Sequence, residues 1–121
     1  MEPRRLVLLV NRNRHNLALL VRYMEREGYQ TVSALNLEAF DKALEEREKI
    51  ALALIDVTGF NSAIWERCDR LSQSTVPFLV IAPRDLPVLQ QAGMTHGAQG
   101  VLVKPLVPNE LMGLVHNLVE V

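Results

Sequence analysis

Four short apolar runs punctuate the chain: Leu6 to Val10, Ala51 to Ile55, Phe78 to Ala82, and Val101 to Val103. None of them alternates apolar with polar residues, so each predicts a strand covered on both faces, the pattern of parallel sheets. A fifth stretch, Gln30 to Ala34, does alternate around Thr31 and Val32 and predicts an edge strand. The intervening segments carry a helical period. Leu17, Leu20, Val21 and Met24 form one stripe, with Asn13 placed to cap its start and Gly28 to end it. Asn36 caps a second helix bearing Phe40, Ala43 and Leu44, with Glu45, Glu46 and Arg47 on its wet side, and Ile64, Cys68 and Leu71 mark a third. A fourth, between Leu86 and His96, is weaker: Pro87 suits its first turn, but Gly93 sits inside it. The fifth is strong, with Leu111, Leu114, Val115 and Leu118 on one stripe and Pro108 near its first position.

Strand and helix therefore alternate five times with short connections and no repeat or linker. Such alternation demands a parallel sheet with helices on both faces, joined by right-handed crossovers. The expected architecture is a single α/β domain over residues 1–121, a doubly wound five-stranded parallel sheet of order 2-1-3-4-5. In such sheets sites lie beyond the carboxyl ends of the strands, where the strand order reverses.

Composition narrows the function classes. At 121 residues the chain is of one-domain size, and 49% apolar with 22% charged residues excludes a disordered tail. Thirteen Lys and Arg against fourteen Asp and Glu leave no general basic field for direct nucleic-acid binding, and 5% aromatics is too few for base-stacking platforms. The segment from Met1 through the first apolar run is too short for a signal peptide or membrane span, and the lone Cys68 supports no internal disulfide, so a cytoplasmic, membrane-free setting is expected. His15, His96 and His116 have no ligand partners at metal spacing. Cys68 reads as a small buried hydrophobe and Trp65 as core or half-buried. Gly28, Gly59, Gly93, Gly97, Gly100 and Gly113 form neither a dinucleotide fingerprint nor a phosphate loop, which argues against a nucleotide- or flavin-binding enzyme.

The strand ends carry the candidate chemistry. Asn11 and Arg12 follow the first run, Asp56 the third, and Lys104-Pro105 the fifth, while Ala82 ends the fourth. Four runs together, Leu8-Leu9-Val10, Ala53-Leu54-Ile55-Asp56, Val76-Pro77-Phe78-Leu79-Val80-Ile81-Ala82, and Gly97-Ala98-Gln99-Gly100-Val101-Leu102-Val103-Lys104-Pro105, resemble the CheY-like receiver domain of two-component response regulators over essentially the whole chain. The last run is the most specific.

That resemblance implies a phosphoacceptor at Asp56 and a phosphoryl clamp at Lys104. It also implies a Mg²⁺-binding acidic pair where Asn11 and Arg12 stand, a hydroxyl where Ala82 stands, and an aromatic where Val101 stands. Asp56 and Lys104 match the pattern; the other three positions depart from it, and the loop Thr58-Gly59-Phe60 is short. Where the family pattern sets three carboxylates against one lysine, this crevice has one carboxylate against two cations. Mg²⁺ prefers hard oxygen ligands, so its binding is expected to be weak or absent, with no other cofactor.

Two outcomes follow for the pocket. Arg12 or Lys104 bridges to Asp56 in the metal's place, or the crevice takes an anion at Arg12, Arg14 and the start of the first helix. The expected function is a non-enzymatic pseudo-receiver, a signalling interaction and dimerisation module with a degenerate phosphorylation site. The alternative is a working phosphoacceptor at Asp56 with weakened Mg²⁺ dependence; a small anion- or nucleotide-binding α/β protein stands behind both. The implied partners are a signalling protein or histidine kinase, or a second copy through the face of the fourth helix, fifth strand and fifth helix. Leu106, Val107, Met112 and Val119 widen the apolar content of that last region, although packing within the monomer explains them almost as well.

Overall fold

The computed structural model describes residues 6–119. The single-domain expectation over 1–121 therefore reaches, at residues 1–5 and 120–121, outside the described residues, as does the reading of the leading segment. Strands β1 (Leu6–Val10), β2 (Gln30–Ala34), β3 (Ile50–Asp56), β4 (Phe78–Ala82) and β5 (Gly100–Val103) form one parallel sheet of order β2-β1-β3-β4-β5. Helices α1 (Arg14–Arg26), α2 (Leu37–Leu44), α3 (Ala63–Gln73), α4 (Pro87–Thr95) and α5 (Pro108–Val119) connect and follow them.

The two-sided strands explain the unbroken apolar runs. On one face Leu8, Val10, Ala53, Ile55, Phe78 and Val80 pack with Phe40, Ile64 and Leu71 of α2 and α3, with Leu89 of α4 at the margin. On the other, Val7, Leu9, Leu52, Leu54, Leu79 and Ile81 meet Leu17 and Met24 of α1 and Leu111, Met112 and Val115 of α5. Because the side-chain period of a strand is two, residues of both parities along the central strands are apolar to serve both layers, with Asp56 at the end of β3 the exception.

The helix ends follow their caps. The side chains of Asn13 and Asn36 accept hydrogen bonds from the backbone N–H of Asn16 and Ala39, and Gly28 follows α1 with φ +95°. Gly93 is buried against the sheet: a Cβ there would lie 3.1 Å from Val80 Cβ and 3.2 Å from Val101 Cγ2. Close helix–strand approach is what that glycine permits.

Three expectations need correction. β5 lies at the edge, as the order 2-1-3-4-5 expects, but its residues are only half-buried, not covered on both faces as its apolar run predicts. Its apolar run is short and follows Gly100, so hydrophobicity alone did not distinguish it from a central strand. α2 stops at Leu44; Glu45 caps its end, and a separate 3₁₀ turn, Arg47–Lys49, leads into β3. Met112 is a core residue of the α1/α5 layer, and Val119 and Leu106 pack against the same cluster. The extra apolar positions of α5 thus serve the monomer, and the exposed large apolar side chains nearby are Leu86, Val88, Met94 and Val107.

Candidate functional site

Parallel pairing brings the ends of β1, β3, β4 and β5 to one rim. Asn11 follows β1 and donates its backbone N–H to the Ala34 carbonyl at 3.0 Å. Asp56 is the last residue of β3, in register with Ile81. Ala82 ends β4, fully buried, and accepts at its carbonyl from the Lys104 N–H at 3.0 Å. Val101, in β5, is half-buried and packs toward α4 beside Gly93. The Lys104–Pro105 peptide is cis.

Asp56 is 4% exposed, and three donors surround its carboxylate. Lys104 Nζ donates to Oδ2 at 2.9 Å, the Thr58 backbone N–H to Oδ1 at 3.0 Å, and Asn11 Nδ2 to Oδ2 at a long 3.4 Å. Burying a carboxylate without such partners would cost several kcal/mol, so the cluster satisfies a requirement of the fold as well as arranging a site. Asn11 is fixed from its other end, since its Oδ1 accepts from the Asn13 backbone N–H at 2.8 Å. The amide therefore bridges the start of α1 to the end of β3.

Of the two cations expected to compete for Asp56, the structure brings in Lys104 alone. Arg12 is exposed, and its guanidinium lies 5.8 Å from the centre of the Phe60 ring, a cation–π distance. Gly59, at φ +82°, turns the chain beneath it; a Cβ at that position would stand 3.6 Å from Arg12 Cδ. Arg14 begins α1 and is exposed.

Thr58 and Phe60 were not singled out as site partners by their residue types. A signal for Thr58 was present, because an aspartate tends to accept from the N–H two residues on and so to make its own turn. Phe60 gave none; its place under Arg12 depends on the glycine turn between them.

The donor set offers a metal ion little. Asp56 is its one carboxylate, already engaged by Lys104; Asn11 presents an amide whose oxygen is taken, and Arg12 a guanidinium. Among the described residues no cluster of three or more His, Cys, Asp or Glu side chains could hold a metal. The residues present do not fit Mg²⁺, which needs several oxygen ligands in near-octahedral geometry.

Of the other titratable candidates, His15 is exposed on α1, and the rest have structural surroundings. Cys68 is fully buried, and burial, with a smaller contribution from Asp69, pushes its thiol up to about 12. His96 Nδ1 lies 2.7 Å from Asp69 Oδ1, and its ring stacks on half-buried Trp65 at 5.2 Å. His116 Nδ1 lies 2.7 Å from the Tyr29 hydroxyl. Arg67 joins α3 to α2 through two 2.9 Å bonds to Asp41, holding that carboxyl below its usual range chiefly through the hydrogen bond.

No protein-family model matches the chain. Among solved structures, a response regulator receiver protein from Pseudomonas putida superposes with a TM-score of 0.84 at 22% identity, covering 97% of this chain and 99% of that one. The chemotaxis protein CheY4 of Vibrio cholerae gives a TM-score of 0.77 at 25% identity, covering 93% and 97%. Among curated proteins, the transcriptional regulatory protein YxdJ of Bacillus subtilis (strain 168) is 29% identical over 101 residues, 82% of this chain and 43% of that protein. The chain thus spans less than half the length of that curated relative.

A doubly wound parallel sheet of order 2-1-3-4-5 with helices on both faces defines a class of small α/β domains. Within that class, the chain has the fold of the CheY-like response-regulator receiver domain.

Proposed function

We propose that the chain serves two-component signalling as a pseudo-receiver, a non-enzymatic, cytoplasmic interaction module whose strand-end site is held in one state by a fixed cation. The donor set around Asp56 carries this reading: Lys104, which the receiver pattern also has, bonds its Oδ2 at 2.9 Å, and among the described residues no second carboxylate lines the cleft. Asn11 and Arg12 supply no carboxylate for a divalent ion, and Ala82 supplies no hydroxyl for a phosphoryl oxygen. A signalling protein or histidine kinase is the partner class, and exposed Val88 and Met94 of α4 give apolar surface for self-association on the α4/β5/α5 side. Among the described residues no helix is long and apolar enough to cross a membrane.

One observation favours the second reading, a working phosphoacceptor. Asp56 is among the residues lining a cleft of about 510 Å³, the space in which a small phosphodonor would sit. Incubation of the full chain with acetyl phosphate and Mg²⁺, read by intact mass, separates the two. The proposal expects no added phosphoryl mass. A gain in the wild type that is lost in Asp56→Asn would replace it with the second reading. Titration with Mg²⁺ and beryllofluoride, followed by backbone NMR at Asp56, Ala82 and Lys104, checks the same point without a covalent product.

A further inference from the structure

Two cavities open beside Asp56 and share a wall. The larger, about 510 Å³, runs between α1 and the segment entering α5, with Leu20, Tyr23, Leu106 and Leu111 along it. The smaller, about 280 Å³, lies under Arg12, Asn13 and Thr58. Asn11, Asn16 and Lys104 line both, which sets a polar, cationic cavity beside an apolar trough, together treated as one cleft. The larger part alone has the size of a small-molecule site, on the order of 300–1,000 Å³. Leu19, 50% exposed, stands at the trough's edge and leaves apolar surface in contact with water.

Charge selects the kind of ligand. Asp56 is the one acidic residue lining either part, and its oxygens already accept from Lys104, Asn11 and Thr58. A cationic group would have to displace the Lys104 ammonium from a buried carboxylate. An anionic group meets no such competition. Arg12 has no carboxylate partner among the described residues, and a guanidinium lying over Phe60 keeps the N–H donors at its edge open. The Lys104 side chain is 31% exposed and has three ammonium protons, of which Asp56 takes one.

We propose that this cleft binds a small amphipathic anion, its carboxylate or phosphate head at Arg12 and Lys104 and its apolar body along Leu20, Tyr23, Leu106 and Leu111. The inference does not depend on the signalling reading, since it requires neither phosphorylation of Asp56 nor its absence.

The test is a ¹⁵N–¹H NMR titration of the full chain with octanoate, with octanol and octyltrimethylammonium at matched concentrations as controls. Octanoate is expected to give saturable shifts at Asn11, Asn16, Leu20, Tyr23 and Lys104. Octanol and the ammonium compound should bind at least about tenfold more weakly, the scale of one charge-assisted hydrogen bond. Arg12→Gln and Leu19→Gln change exposed residues, and their free spectra report that they remain folded. Arg12→Gln should weaken octanoate with little effect on octanol; Leu19→Gln should weaken both. Octanol binding as tightly as octanoate, the ammonium compound binding more tightly, or shifts centred elsewhere would each overturn the proposal, as would no saturable shift.

Discussion

Replacing Lys104 by Met keeps most of the side-chain volume and removes the ammonium from Asp56. What remains around the carboxylate is the Thr58 N–H at 3.0 Å and the Asn11 amide at a weak 3.4 Å. Removing one partner of a fully buried pair costs about 3–5 kcal/mol. Lys104 is 31% exposed, so water from the cleft can take part of its place, and the expected loss for Lys104→Met is about 2 kcal/mol. The reciprocal change is milder. In Asp56→Asn the lysine swings into the cleft and is hydrated, which leaves a loss of about 1 kcal/mol from weaker hydrogen bonds. The double variant has no buried unpaired charge, so it should be less destabilised than the two singles combined by at least about 1 kcal/mol. Urea unfolding followed by Trp65 fluorescence, with the denaturant slope checked for constancy, measures all three. A Lys104→Met variant within about 0.5 kcal/mol of the parent, or strict additivity in the cycle, would refute the claim that this bond compensates the burial of Asp56.

Gly93→Ala should destabilise by about 1 kcal/mol although alanine is the better helix former, because its Cβ would press on Val80 Cβ at 3.1 Å; a more stable variant in the same unfolding assay contradicts that packing. Cys68, buried and with its thiol pushed up to about 12, should resist a thiol reagent at about pH 8 until urea unfolds the chain, and prompt labelling in native buffer would show the site to be open. Asn11→Asp combined with Arg12→Asp should confer Mn²⁺ binding, read as selective broadening of the Asp56 and Lys104 amide signals. Broadening equal to that of the parent would show that these two residues do not account for the poor metal fit.

The sheet was legible because its central strands are apolar on both faces, and the caps at Asn13 and Asn36 because their side chains answer a local need of the helix end. β5 was harder. Val101 to Val103 looks like a covered strand although the order 2-1-3-4-5 puts it at the edge, and its half-burial follows from that position, which the local run does not record. The same limit applies at the site. Asp56 and Lys104 could be paired from their strand ends, since parallel register places both at one rim. By charge alone Arg12 and Lys104 are alike. Direction separates them: Lys104 reaches inward to Asp56, whereas the turn at Gly59 puts Phe60 where it can hold Arg12 away. Met112 was ambiguous for the reverse reason, because an apolar residue beside a helix stripe can face either a partner or the sheet.

On the proposed reading, the identity of the cation has a consequence for switching. A divalent ion that binds and leaves can make the state of a carboxylate depend on supply; a lysine fixed by the chain is always present. Attack on phosphorus draws on a carboxylate that Lys104 already bonds at Oδ2, and among the described residues no second carboxylate lines the cleft to recruit a divalent ion. If that bond withholds about 2 kcal/mol from the attacking carboxylate and none of it returns before the transition state, the rate falls about thirtyfold. Ala82 adds a separate obstacle after the chemistry. A modification shifts a two-state equilibrium only by making different contacts in the two states, and a methyl group at the end of β4 has no hydrogen bond to give a phosphoryl oxygen. The two obstacles act in sequence, one on adding the group and one on reading it. Restoring carboxylates at positions 11 and 12 would therefore ease the first and leave the second, so a chain made competent to accept phosphate would still respond to it weakly.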